Sequence, residues 1–336
     1  MSGAEGDAPT PGHREASGHP YDALTPDLLL DAVESAGFVT DGRLLALNSF
    51  ENRVYQVGLE DATPVVVKFY RPNRWSDEQI REEHRFSLFL RDNELPVVAP
   101  LANQAGETLF IHQGFRFAVF PRQGGHGPEL DNPDHLRVLG RTLARWHAAG
   151  DDRPFKKRPV IELVGDCREA IEYVNQGVVD PNYAGRYRDV GAALIGEIER
   201  VTRDIRWQPI NVHGDCHAGN ILWRDNRPHF VDLDDSLRGP AMQDLWMLLS
   251  GDAEENRQQL IILSEGYETF LPFPWHQRVL IDPLRTRRLL RHSAWLARRW
   301  DDPAFPIAFP WFDSPRYWQE HVTDLEQQLA ALKNIN

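Results

Sequence analysis

The residues with the clearest chemical potential stand together at 213–220, His-Gly-Asp-Cys-His-Ala-Gly-Asn, and are followed at 230–235 by Phe-Val-Asp-Leu-Asp-Asp. Asp215 and Asn220 are five positions apart (220 − 215), an H-x-D-x-x-x-x-N spacing that sets a substrate-orienting carboxylate and a metal-binding amide on one turn of backbone. A highly charged phosphoryl group is transferred mainly by being positioned and neutralised, so a few oxygen-bearing side chains suffice. Asp215 would accept a hydrogen bond from an acceptor hydroxyl and take its proton late. Asn220 and Asp232 would hold magnesium, a hard cation that prefers oxygen, against nucleotide phosphates.

Two other accounts of this stretch compete. His213, Cys216 and His217 are possible zinc ligands, but Gly214 and Gly219 break any helix that would align the histidines, and the second cysteine is distant at Cys167. A polar loop whose Asp and Asn cap a turn is the plainer alternative. The V-D-L-D-D segment favours chemistry. Ile221-Leu222-Trp223 and His229-Phe230-Val231 flank the turn signal Asp225-Asn226, and such a hairpin returns Asp232 to the side of Asn220.

Elements upstream must supply the nucleotide side. Strand-like runs at 44–47, 53–57 and 64–69 suggest an antiparallel meander, with two more at 107–111 and 115–120. The third run ends V-V-V-K-F, close to the strand signature V-A-I-K, so Lys68 could reach the α- and β-phosphates; a solvent-facing lysine is the alternative. Ser76-Asp77-Glu78-Gln79 reads as a capping box opening a helix that carries Glu82 and Glu83. Glu83 is preferred as the partner of Lys68 because Phe86 and Leu90 mark the buried stripe beside it, with Glu82 and a solvated pair of acids left open. No glycine-rich loop fills 48–52; Ser49 offers a hydroxyl to phosphate, or only a turn.

The remaining chain frames these motifs. Residues 1–22 are rich in Gly, Pro, Ala and Ser and are expected to be a disordered tail, 23–120 a β-rich lobe, and 121–336 a helical lobe carrying the catalytic loop. A helix should open at Thr25-Pro26, and the stretch 121–128 reads as a hinge whose neighbouring backbone could pair with an adenine edge. Helices are expected over 136–147, 160–175, 186–206, from Gly239 through Leu249, and from about Ser314. Asp244 could accept from catalytic-loop amides or merely cap its helix. The basic, amphipathic run 284–291, with Arg298 and Arg299, reads as a solvated helix face given the acidity of the chain, with docking of an acidic substrate or nucleic acid as the alternative.

Composition bounds the function classes. At 336 residues, 41% hydrophobic and 26% charged, the chain is long enough for two lobes with separate cores. A net charge of −13 argues against general binding to nucleic acid or anionic membrane. No apolar run suits a membrane span and no secretory signal pattern is present, so cytoplasmic residence is expected. Two cysteines imply no disulfide framework, and Cys216 reads as an incidental small residue beside Asp215.

With these residues in view, the chain resembles the bacterial stress response kinase A family within the aminoglycoside phosphotransferase and choline kinase-like superfamily. The likeness rests on L-N-S-F-E-N-R-V-Y-Q at 47–56, V-V-K-F-Y-R-P at 66–72, H-G-D-C-H-A-G-N-I-L-W-R-D at 213–225 and Q-D-L-W-M-L-L at 243–249, and runs from about Pro26 to Phe312. It implies an α+β, bilobal protein-kinase-like fold with a small β-rich N-lobe and a larger, mostly helical C-lobe. It also implies ATP- and Mg2+-dependent phosphorylation of protein serine or threonine, autophosphorylation and a stress-response role; separately, a monomer is expected. Asp215 would then be the proton acceptor, Asn220 and Asp232 magnesium ligands with Asp232 also an active residue, and Ser49 a nucleotide contact. Lys68 and Glu83 follow from the wider kinase pattern. His213-Gly214-Asp215 departs from H-R-D, Asp232-Leu233-Asp234 departs from D-F-G, and no A-P-E segment is visible, which argues against a phosphorylated activation loop. The fold also hosts kinases of small hydroxylated metabolites such as amino alcohols and aminoglycosides, the nearest alternative; a nucleotide-binding regulator without turnover is a third.

Overall fold

The computed structural model describes residues 21–335. Helix α1 (Pro26–Ser35) starts where the Thr25 hydroxyl accepts from the Leu28 amide and Pro26 pre-sets the first turn. Strands β1 (Thr40–Ala46), β2 (Arg53–Leu59) and β3 (Ala62–Phe69) follow, then α2 (Asp77–Asp92), β4 (Phe110–His112) and β5 (Phe115–Pro121). They form one antiparallel sheet in the order β1-β2-β3-β5-β4. The side-chain period of two sorts β3 between two faces. Val65, Val67 and Phe69 join Leu29 and Val33 of α1 in one apolar core, whereas Lys68 and the following Tyr70 point to the α2 side.

The second lobe is mostly helical. Helices α3 (Pro133–Asp152), α4 (Leu163–Val174) and α5 (Ala184–Thr202) lead into β6 (Ile210–Val212), the hairpin β7 (Ile221–Arg224)–β8 (Arg227–Phe230) and β9 (Leu237–Gly239). The chain closes with α6 (Met242–Trp246), α7 (Ala253–Tyr267), α8 (Ile281–Arg298), α9 (Ala304–Ala308) and α10 (Pro315–Lys333). Leu139, Leu143 and Trp146 of α3 sit in a large core with Phe230, Leu245 and Leu263. Asp225 and Asn226 both adopt positive φ (53° and 58°), the geometry a two-residue hairpin turn demands. Among the described residues no helix is long and apolar enough to cross a membrane.

Several expectations need correction. The tail does not extend to Tyr21, which is buried against the sheet with its hydroxyl donating to the Phe69 carbonyl; residues 1–20 lie outside the described residues. The strand expected over 107–111 begins only at Phe110, because Asn103 accepts from the Ala105 and Glu107 amides and ties that segment into a turn. The helix expected from Gly239 is the five-residue α6, since Leu237–Gly239 pairs with β6 instead. Within 121–128, His126 and Trp223 exchange backbone hydrogen bonds of 3.2 and 2.6 Å, which fastens the strand-to-helix passage to β7.

Helices α3 and α7 approach so closely that a Cβ on Gly266 would overlap the Arg137 carbonyl oxygen. Backbone cannot yield as a side chain does, so Gly266→Ala should destabilise the protein by about 3 kcal/mol, the upper end of overpacking costs. Thermal unfolding checks this, and an unchanged midpoint would refute the close-contact account.

Candidate active site

The loop 213–220 is held from beneath by a buried acid. Asp244 of α6 accepts from the His213 amide (2.8 Å) and the Gly214 amide (3.0 Å), and its carboxylate also meets His147 Nε2 at 3.2 Å. His147 in turn contacts the Tyr267 hydroxyl at 2.9 Å, so the loop is anchored to α3 and α7. Of the two readings of Asp244, the loop anchor is the one formed. His213 Nε2 lies 3.0 Å from the Val231 carbonyl, tying the loop to the segment carrying Asp232. Gly214 has φ +85°, and a Cβ there would strike the Asp235 carbonyl; this accounts for glycine where H-R-D has arginine.

Within the loop, Asn220 Nδ2 donates to the Asp215 carbonyl (2.9 Å) and lies 3.4 Å from its Oδ2. That leaves the amide oxygen of Asn220 turned away from Asp215. The Val231 amide bonds the Asn220 carbonyl at 3.0 Å, so the hairpin does return Asp232 beside Asn220. Asp232 occupies the left-handed region (φ 59°, ψ 63°) with a half-exposed side chain. Lys68 Nζ reaches its Oδ1 at 2.5 Å from the other lobe. Burial opposes the Lys68 charge, but Asp232, Asp234 and Glu83 outweigh it and raise the ammonium above its ordinary range.

The acid of α2 is not in that ion pair. Glu83 is buried and makes no salt bridge to Lys68, although the two fields act on one another. Glu82 is excluded as the partner because its carboxylate accepts from the Lys156, Lys157 and Arg158 amides at 2.6–2.9 Å. Burial pushes the Glu83 carboxyl up to about 7, against Arg158 and Lys68, which pull it down.

Asp215 is the reverse case. Burial would raise its carboxyl, but the His217 contact (3.3 Å) and the Arg288 guanidinium on Oδ1 hold it well below the usual carboxylate range. The basic helix face therefore needs correction: Arg288 of α8 sits on Asp215, Arg287 is buried against Asp166 at 2.5 Å, and Arg299 pairs with Glu51 at 2.9 Å. Cys216 is fully buried and burial pushes its thiol up, so it has no thiolate character.

Asn48–Asn52 is closed by residues far away in sequence. The Phe50 ring packs 4.7 Å from Phe309, and Glu51 accepts from Trp295 Nε1 at 2.5 Å. Ser49 is half-buried, and its hydroxyl makes no hydrogen bond among the described residues. Sequence reasoning missed Asn52, Arg74 and Arg158. Asn52 Nδ2 donates to Asp234 Oδ2 at 3.0 Å, Arg74 bridges Asp234 and Asp235, and Arg158 holds the Asp234 carbonyl at 2.6 Å. Their only local signal was polarity beside apolar runs.

The Asn220 amide oxygen and the half-exposed Asp232 carboxylate are oxygen donors of the kind a hard divalent cation prefers, and no group of three or more His, Cys, Asp or Glu side chains is assembled for a metal among the described residues. Magnesium is ordinarily bound by one or two carboxylates completed by substrate phosphates rather than by a protein-only cage. Asn220 and Asp232 are thus the residues that could hold it.

A sheet lobe presenting a lysine to an Asp beyond a catalytic loop is the architecture of kinase-like phosphotransferases. A family model described as phosphotransferase enzyme family matches residues 43–280. The chain is 46% identical to the serine/threonine protein kinase RdoA of Salmonella typhimurium over 313 residues, 93% of this chain and 94% of that one. It is 45% identical to stress response kinase A of Escherichia coli strain K12 over 314 residues, 93% and 95% of the two chains. Among solved structures, an amicoumacin kinase complex with AMP-PNP and Ca2+ superposes with a TM-score of 0.68 at 17% identity, covering 89% of this chain and 93% of that one. A microcompartment-associated aminopropanol kinase gives 0.67 at 15%, covering 90% and 94%. The chain belongs to the phosphotransferase enzyme family and, within it, to the stress response kinase A family.

The raised Glu83 carboxyl has a signed consequence. Between about 4.5 and about 7 the native state keeps a proton that the unfolded chain has released, so stability falls as pH rises through that window. Glu83→Gln removes this penalty. Its stability relative to wild type should therefore improve by up to about 3 kcal/mol between pH 5 and pH 8. Urea unfolding without nucleotide measures it; a difference independent of pH would count against a protonated Glu83.

Proposed function

We propose that this chain is an ATP- and magnesium-dependent serine/threonine protein kinase that also phosphorylates itself, acting as a cytoplasmic monomer in a bacterial stress response. The observation that carries the reading is the convergence of Lys68, Asp215, Asn220 and Asp232 on one interlobe edge. The relatives at 45–46% identity, a serine/threonine protein kinase and a stress response kinase, support the protein acceptor and the stress role.

Residues 23–120 bind the nucleotide and 121–336 bring the acceptor. Lys68 leaves Asp232 for the α- and β-phosphates, and Glu83 is the buried acid positioned to steady its charge. The Ser49 hydroxyl adds a contact to nucleotide. Magnesium held by Asn220 and Asp232 supplies positive charge against the phosphates. Asp215 accepts a hydrogen bond from the acceptor hydroxyl, orients its oxygen in line with the γ-phosphorus and takes its proton as the new O–P bond forms and the bond to ADP breaks. Asn220 and Asp244 keep that carboxylate in place.

Asp215→Asn should lower phosphoryl transfer about 10²- to 10⁴-fold while nucleotide binding persists. Labelled ATP with protein extract or a metabolite panel reads the transfer, and calorimetry reads the binding. Labelling of metabolites only would overturn the protein-kinase reading, and full activity in the variant would overturn the role of Asp215.

A further inference from the structure

One stripe of α8 faces Asp215 and Glu51. Arg285, Arg288, His292 and Trp295 fall at helical spacing along it, with Arg299 just beyond its end. The stripe begins where Arg285 lies 5.7 Å from the Trp246 ring and ends where Trp295 and Arg299 grip Glu51. Arg288 stands between, on Asp215 Oδ1 and 3.9 Å from Met247 Sδ. Its side chain is 45% exposed, unlike the neighbouring Arg287, which is buried against Asp166.

The position of Arg288 conflicts with the task of Asp215. The other carboxylate oxygen already faces His217 at 3.3 Å and Asn220 at 3.4 Å, so Oδ1 is the edge left for an acceptor hydroxyl. The guanidinium occupies that edge. A bound acceptor must therefore draw it off. A second carboxylate can do so, because guanidinium and carboxylate pair through two parallel hydrogen bonds at little cost in preorganisation. A cationic acceptor can only be repelled. The chain's charge of −13 gives acidic partners no long-range attraction, so the discrimination has to be local.

We propose that Arg288 selects the acceptor: the hydroxyl phosphorylated belongs to a serine or threonine flanked by an acidic side chain, which takes the Arg288 guanidinium from Asp215 and frees the base. This deepens the protein-kinase reading and rests on it. Arg288 is then a specificity-determining residue that restrains Asp215 until the right substrate arrives.

The test is a set of single-serine peptides flanked by Glu, Ala or Lys, run beside glycerate and ethanolamine, with wild type, Arg288→Lys, Arg288→Gln and Arg288→Glu; thermal melting of each variant controls for folding. Wild type should favour the Glu peptide over the Ala peptide by about tenfold in kcat/KM, the scale of one well-placed charge pair. Arg288→Lys should keep part of that preference, Arg288→Gln should flatten it, and Arg288→Glu should shift it toward Lys. A loss of activity with the order of preference unchanged would mean a structural role only and would overturn the proposal. So would a wild-type preference for Ala or Lys. Labelling confined to the small compounds sinks the protein reading yet still decides Arg288, by whether glycerate is favoured over ethanolamine and Arg288→Glu reverses that order. Labelling of nothing sinks both.

Discussion

Lys68 and Asp232, 164 positions apart, meet across the lobes at 2.5 Å, and much of the structure serves to bring these two charges together. A lysine this buried is unfavourable unless opposite charge surrounds it. Asp232, Asp234 and Glu83 supply that charge, and Arg74 and Arg158 balance the acids in turn. The result is an alternating network rather than one pair. Losing Asp232 or Asp234 leaves buried cations uncompensated, which ties the alignment of the sheet and the 213–220 loop to the same electrostatic condition.

The helical lobe contributes rigidity. Asp244 binds two successive amides of the catalytic loop from inside the core, where His147 and Tyr267 fix its own direction. A loop with functional side chains thus rests on a buried acid whose hydrogen bonds do not exchange readily with water. The positive φ of Gly214 and Asp232 belongs to the same construction: both turn sharply so that their neighbours aim at one edge.

The segment 48–52 shows a different solution to a familiar problem. Without glycines to wrap phosphate, it is pressed down by Phe50 against Phe305 of α9 and Phe309 just beyond it, and by Glu51 on Trp295 and Arg299. Arg71 and Arg53 meet Asp302 close by, so charge and ring packing close the cleft at that end.

Residues whose role depends on local spacing were legible in the chain itself: Asp215 with Asn220, the Asp225-Asn226 turn that returns Asp232, the capping box at Ser76, and the alternation that turns Lys68 away from the α1 core. Each follows from a backbone period or a turn preference acting over a few residues. Asp244 was legible as a candidate, but its two amide partners, His213 and Gly214, lie 31 and 30 positions back along the chain, so only the fold could pair them. What tertiary structure alone decided was pairing over long separations: Glu82 spent on the amides of 156–158, Asn52 and Arg74 drawn to Asp234, Arg288 set on the proposed base. A periodicity states which face of a helix is charged but not what stands opposite, and α8, basic and amphipathic by pattern, meets Asp215 and Glu51 only through the tertiary fold.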